Sequence, residues 1–363
     1  MSVSTASKFI VSRRDDPTSD HDRQAILVDP GFGKHFTDHL ARATWTRGQG
    51  WHDLRVEAYA PLTVDPAAAV LHYAQEVFEG MKAYRHDDGS VWAFRPQANA
   101  RRFARSADRL ALPVVDEEMF LDSLRSIVTA DIDWVPSGGE TSLYLRPFMF
   151  ASEAFLGVRP ADEVTYMVIA SPAGSYFASG VKPVSIWLSQ EYTRAAPGGT
   201  GAAKCGGNYA ASLRAQSEAY QHGCDQVCFL DAVERRWVEE LGGMNLMFVY
   251  DDGTVVTPPT SGSILEGITR DSIITLLRER GHQVREQPMD VATWRADAAS
   301  GRLCEVFACG TAAVVTPVGR LVEPGAEHTT SGGDEVTMAI RSALLDIQYG
   351  RVEDTHGWLH RLA

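Results

Sequence analysis

The residues of this 363-residue chain best suited to chemistry lie mostly in its second half. Lys204 stands in AAPGGTGAAKCGG (195–207), where Ala202, Ala203, Cys205, Gly206 and Gly207 supply neither shielding side chains nor a partner charge. A poorly solvated lysine loses its proton more readily, and the free amine is what attacks a carbonyl to make an imine. A solvated surface lysine is the ordinary alternative. In WVEELGGMNL, strand alternation sends one of Glu239 and Glu240 to the inside. A buried carboxylate needs a partner, either a structural cation or a protonated ring nitrogen.

Anion sites are the second ingredient. Gly267-Ile268-Thr269-Arg270-Asp271 reads as a helix start with Thr269 as N-cap, and its backbone N–H groups favour an anion. A plain cap would look the same. Gly310-Thr311-Ala312-Ala313 is a tight turn of small residues after CEVFAC, with amides to offer a phosphate or carboxylate. Arg101, Arg102, Arg105 and Arg109 crowd one helical stretch. An exposed basic face is the plain reading, but an inward-pointing Arg102 would be a bidentate partner for phosphate. An amine, a carboxylate and anion sites are together the parts of a pyridoxal phosphate site.

These residues need elements to hold them. EGMKAYR (79–85) and VWAFRP (91–96) flank a turn at 86–90 and predict a hairpin. Pro96 opens a helical pattern through Ala100, Phe103, Ala104, Ala107 and Leu110, and a second helix runs from Asp116 to about Val128. Residues 141–150 and 164–174 read as strands. In the second half, 226–231, 237–250 and 255–259 read as strands, 265–281 as a helix stopped by Gly281, and about 334–347 as a last helix. The expected organisation is α+β, with a loose, polar N-terminal arm (1–30), a smaller N-terminal domain (31–175), a linker (176–190) and a larger C-terminal domain (191–363) carrying Lys204.

Composition narrows the partners. The net charge of −13 and the absence of a basic block argue against nucleic acid or an anionic membrane. No apolar run reaches spanning length and the polar N-terminus lacks a secretory core, so a cytoplasmic protein is expected. The cysteines at 205, 224, 228, 304 and 309 are few and without metal-site spacing, and read as reduced thiols with no bound metal. Cys205 is the one that would matter if exposed, because a nearby ammonium favours thiolate.

HYAQEVFEGMKAYR (72–85), FRPQANARRFARSADRLALP (94–113), YLRPFMF (144–150), GGTGAAKCGGNYAASL (198–213), EELGGMNLMFV (239–249), LEGITRDSI (265–273) and GTAAVVTPVG (310–319) together resemble the branched-chain aminotransferases, which are fold-type IV pyridoxal-phosphate enzymes. Seven blocks in the family's order, from about residue 30 to 320, make the match specific. The resemblance implies that Lys204 forms the imine with pyridoxal 5′-phosphate and moves the proton, that Glu240 meets the pyridine nitrogen, and that Tyr209 meets the ring 3′-oxygen. Arg102, the backbone of Ile268 and Thr269, and Thr311 would hold the phosphate. The amides of Thr311 and Ala312 would take the substrate α-carboxylate. Phe32, Phe78, Tyr144 and Tyr176 would wall an apolar pocket, with Tyr73 and Arg146 on its polar edge for the γ-carboxylate of glutamate, and Tyr73 lent by the other subunit of a homodimer. The implied reaction is ping-pong amino transfer between leucine, isoleucine or valine and 2-oxoglutarate. A D-amino acid aminotransferase or aminodeoxychorismate lyase is the nearest rival, and an idle ligand-binding protein the rival of another class. Two positions depart from relatives. Ala313 and Thr316 stand where some carry Cys-x-x-Cys, and Gly243 stands where others carry Thr.

Overall fold

The computed structural model describes residues 8–174 and 181–363. The chain divides into two compact units, residues 1–178 with 347–363, and residues 179–346. In chain order the first unit holds β1 (Ile10–Val11), α1 (Asp20–Val28), β2 (His39–Thr46), β3 (Gly50–Ala58), α2 (Ala69–Tyr73), β4 (Glu76–Phe78), β5 (Met81–Arg85), β6 (Val91–Phe94), α3 (Pro96–Arg109), α4 (Glu117–Ala130), β7 (Ser142–Ala151) and β8 (Glu163–Ala173). The second follows with β9 (Val184–Ser189), α5 (Gly206–Gln221), β10 (Gln226–Leu230), β11 (Trp237–Leu241), β12 (Asn245–Tyr250), β13 (Val255–Thr257), α6 (Ile268–Glu279), β14 (Val284–Glu286), β15 (Met289–Asp290), α7 (Val291–Ser300), β16 (Leu303–Gly310), β17 (Val314–Glu323), β18 (Ala326–Thr329) and α8 (Glu335–Gln348). β19 (Leu359–Arg361) returns to the first unit, where it pairs with β6.

One sheet organises each unit. The first runs β1-β3-β2-β8-β7-β5-β6-β19, with β4 also on β7. α3 and α4 pack beside it, and Phe103, Phe120, Leu124 and Ile127 are fully buried there. The second runs β14-β13-β12-β16-β17-β9-β10-β11-β15, and its core includes Leu246, Phe248, Trp294 and Leu303.

Local chemistry accounts for the elements read from sequence. Gly89 takes a positive φ of 84° in the turn of the β5–β6 hairpin. Pro96 sits in the first turn of α3, where its missing N–H costs nothing. Asp116 caps α4 by accepting from the Met119 amide at 2.7 Å.

Four expectations need correction. Residues 347–363 belong with the first unit because β19 completes its sheet, and the first unit is then the longer of the two. Val184–Ser189, placed in the linker, is a strand between β17 and β10; its run VSIWLS is apolar enough to be buried on both faces. The N-terminal arm is tied down from residue 8 onward. β1 pairs with β3, and buried Asp38 accepts from the backbone and hydroxyl of Thr18 at 3.0 and 2.7 Å. Finally, the N-cap of α6 is Gly267, and Thr269 lies inside the helix.

Candidate active site

In the second unit the site grows from the start of α5. Cys205 is the N-cap residue in extended conformation, so Lys204 precedes the helix and Tyr209 is its fourth residue. Side chains at these two positions meet across a helix start, as in a hydrophobic staple. Here the contact is polar: Lys204 Nζ donates to the Tyr209 hydroxyl at 2.7 Å, and the amine lies 5.2 Å from the ring centroid. The small residues before Lys204 are spatially required. A Cβ on Gly201 would lie 2.2 Å from the Ser263 carbonyl oxygen. Asn208 fastens the loop by donating to the carbonyls of Thr200 and Ala203, both at 2.8 Å. Cys205 is buried, so the exposure that would make its thiol matter is not met.

β11 supplies the carboxylates. Alternation leads one to expect a single inward glutamate, yet Glu239 and Glu240 are both buried. Residues 263–265 meet both: Ser263 Oγ donates to Glu239 Oε1, and the Leu265 amide donates to Glu240 Oε1 at 2.9 Å. Buried Arg194, which the sequence reading missed, stands 2.9 Å from the same Oε1 and also donates to the Ser263 carbonyl at 2.9 Å. Glu240 Oε2 accepts no hydrogen bond among the described residues. Burial pushes the Glu240 carboxyl up to about 7, with Arg194 and the Leu265 amide pulling the other way. A carboxylate so placed has one oxygen engaged and one to give.

The anion sites are formed as helix and turn. Gly267 caps α6 without a side-chain bond, and a Cβ there would lie 2.0 Å from Asn245 Oδ1. A larger residue would have to displace Asn245, and glycine brings no side chain of its own to the first amides of α6, those of Ile268 and Thr269 among them. Thr311, Ala312 and Ala313 form the three-residue turn between β16 and β17, whose last paired residues are Gly310 and Val314.

The first unit carries the other candidates. Tyr144 and Arg146 share a face of β7, two residues apart. Phe78 on β4 lies alongside, with the Arg146 guanidinium 5.0 Å from its ring and 5.3 Å from that of Tyr144. Arg146 also donates to the Tyr144 hydroxyl at 3.0 Å, and Phe32 meets Tyr144 edge-on at 5.0 Å. Arg146 forms no ion pair among the described residues, and its Nε is buried without a partner. Gly80 makes this cluster possible, since a Cβ there would collide with the Tyr144 hydroxyl. Tyr73 is not part of it. It is 40% exposed and donates to the Leu156 carbonyl at 2.5 Å. Arg102 is buried on α3, as an anion-binding arginine would be, but its Nε and one terminal nitrogen already bind Glu79 at 2.7 and 2.8 Å. Glu79 is the second residue missed from sequence. Tyr176 lies outside the described residues.

Comparison with known proteins fits this arrangement. The family model described as "Amino-transferase class IV" matches residues 76–321. The chain belongs to the class IV aminotransferase family. It is 59% identical over 350 residues to a probable branched-chain-amino-acid aminotransferase of Streptomyces coelicolor, covering 96% of each chain. It is 55% identical to the branched-chain-amino-acid aminotransferase of Mycolicibacterium smegmatis, covering 98% of each. Among solved structures, the Escherichia coli branched-chain amino acid aminotransferase superposes with a TM-score of 0.73 at 31% identity, over 89% of this chain and all of that one. The branched-chain amino acid aminotransferase of Thermobaculum terrenum, solved in its PLP form, superposes with a TM-score of 0.74 at 25% identity, over 90% and 98% of the two chains. This class IV aminotransferase therefore has the fold-type IV architecture expected from its sequence blocks.

Proposed function

We infer that this protein is a branched-chain-amino-acid aminotransferase, exchanging the amino group of leucine, isoleucine or valine with 2-oxoglutarate in a ping-pong cycle in the cytoplasm. Its relatives of that name align over nearly their whole length. The single observation that carries the chemistry is the Lys204 amine set 2.7 Å from the Tyr209 hydroxyl.

The second unit's residues suit pyridoxal 5′-phosphate: a lysine amine and a phenol together, a buried carboxylate with one oxygen uncommitted, and a helix start capped by glycine. Lys204 would bind the cofactor, Tyr209 its ring oxygen, Glu240 its ring nitrogen, and Arg102, Ile268, Thr269 and Thr311 its phosphate. Once bound, the cofactor supplies the electron sink that makes a Cα proton removable. Lys204 Nζ takes that proton and returns it, so the same amine is both anchor and general base. Glu240, drawn toward its ionised form by Arg194 against the effect of burial, would face the ring nitrogen and favour its protonated form. The amides of Thr311 and Ala312 bind the α-carboxylate common to every substrate.

Phe32, Phe78 and Tyr144, with Tyr176, receive a branched apolar side chain. Arg146 has no acidic partner of its own among the described residues, so it suits the γ-carboxylate of glutamate or 2-oxoglutarate. Tyr73 is reserved for the neighbouring subunit of a homodimer. The exposure of Leu71, Tyr73, Leu156 and Val158 in this unit supports such an interface.

The test is Lys204→Ala. Turnover of leucine with 2-oxoglutarate should fall by several orders of magnitude while cofactor still binds through its phosphate and ring contacts. Turnover near that of the unaltered enzyme would sink the assignment.

A further inference from the structure

One side chain outside the roles above acts directly on the turn at 311–313. Arg341, in the second turn of α8, is 3% exposed. A terminal nitrogen of its guanidinium donates to the carbonyl of Ala313 at 3.1 Å and to that of Val315 at 3.2 Å. Between those carbonyls stands Val314, with a φ of +63°. A β-branched residue in the left-handed region is an outlier that persists only where its surroundings hold it. α8 is itself fixed, because the Glu305 carboxylate on β16 accepts from the amides of Val336 at 3.0 Å and Thr337 at 2.9 Å. It also accepts from the Thr337 hydroxyl at 2.7 Å. β16 and β17 enter and leave the turn, so the helix is anchored to one strand and clamps the start of the other.

We propose that Arg341 is a positioning residue that holds Val314 in its strained conformation and thereby aims the backbone of Thr311 and Ala312 at the substrate α-carboxylate. The proposal rests on the reading of those amides given under Proposed function. Its chemistry is simple. Pinning the two carbonyls fixes the peptide plane that enters Val314 and the one that follows Val315, which brackets Val314 and sets the direction in which the turn begins its exit into β17. Without the clamp, Val314 relaxes toward negative φ and the turn's amides swing away. The α-carboxylate is the part shared by leucine, isoleucine, valine and glutamate, so loss of aim penalises all of them alike. A side-chain pocket residue would discriminate among them.

The experiment compares Arg341→Lys, Arg341→Met and the double variant Arg341→Met/Val314→Gly with the unaltered enzyme. KM for leucine and for glutamate should rise by a common factor of roughly tenfold in Arg341→Met, the worth of about one hydrogen bond, with kcat changed less. Val314→Gly in the double variant should recover part of that loss, since glycine occupies positive φ without penalty. In cofactor-free protein, amide hydrogen exchange across 310–316 should quicken in Arg341→Lys and Arg341→Met. If Arg341→Met does not fold, Arg341→Lys carries the same KM and exchange readouts. A lower melting temperature with KM and exchange unmoved, or a KM loss confined to one substrate, would overturn the proposal. An unaltered enzyme that binds no cofactor and transfers no amino group would instead overturn the functional reading beneath it.

Discussion

Each unit buries an arginine–glutamate pair, and the two differ in what is left over. In the first unit Glu79 spends both oxygens within the protein. Oε1 accepts from Arg102 at 2.7 Å, while Oε2 accepts from Arg102, Asn99 and the Gly80 amide at 2.8, 2.7 and 3.2 Å. In the second unit Glu240 commits only Oε1, to Arg194 and the Leu265 amide. A saturated carboxylate orients its arginine, whereas a half-committed one can still bind something else. Burial of a charge pair alone distinguishes neither, because a buried pair stabilises little in net terms and is costly mainly to break.

That contrast is sharpest under mutation. Glu79→Ala strands the Arg102 guanidinium in a dry site and should lower stability by about 3–5 kcal/mol, read as a shift of the denaturation midpoint. If the midpoint hardly moves, Glu79 is not the anchor of Arg102. Glu240→Gln keeps the shape and one acceptor, so folding should suffer less. The half-reaction with either amino donor should slow by a factor equivalent to roughly 1.5–3 kcal/mol, the range for a hydrogen bond to a charged group. Stopped-flow rates equal to those of the unaltered enzyme would transfer the role to Glu239, whose Oε2 is buried without a partner among the described residues.

Arg146→Ala should cost the glutamate half-reaction more than the leucine half-reaction, again by about 1.5–3 kcal/mol at most. Equal losses in both would make Arg146 a packing residue over Phe78 and Tyr144.

The smallest expected effect is on pH dependence. Burial raises the Glu240 carboxyl from its ordinary range to about 7 in the folded, cofactor-free protein. A raised carboxylate favours folding where it is protonated, so its contribution is fully present below the unfolded value and disappears as pH rises through about 7. Melting temperatures of the cofactor-free protein between pH 5 and 8 should therefore fall more steeply than those of Glu240→Gln. Parallel curves would contradict the shift.

Much of this was legible in the residues themselves. The hairpin at 81–94, α3 behind Pro96 and α4 behind Asp116 follow from turn, proline and cap chemistry that acts over a few residues. Lys204 was conspicuous because everything around it is small. The partners of the charged groups were not legible. Arg194 reaches Glu240 on β11 from a loop that no periodicity describes, and Glu79 meets Arg102 from a strand end 23 residues away. Alternation failed at Glu239 and Glu240 because it assigns faces to a strand but does not say that both will be covered. α5 went unread for a related reason: it opens with Gly206 and Gly207 and has only a weak apolar stripe, leaving Leu213 and Tyr220 exposed.

The return of β19 to the first sheet bears on how the protein is made. The first unit is discontinuous in the chain, and the free edge of β6 waits for a strand encoded after all of residues 179–346. At roughly 5–20 residues per second, a ribosome needs on the order of ten seconds to cross that interval. Throughout it the nascent first unit exposes an unpaired edge, the kind of surface that recruits neighbouring chains on a crowded polysome. A chain stalled or cleaved before residue 359 would keep that edge permanently, so the first sheet closes only once β19 has been made.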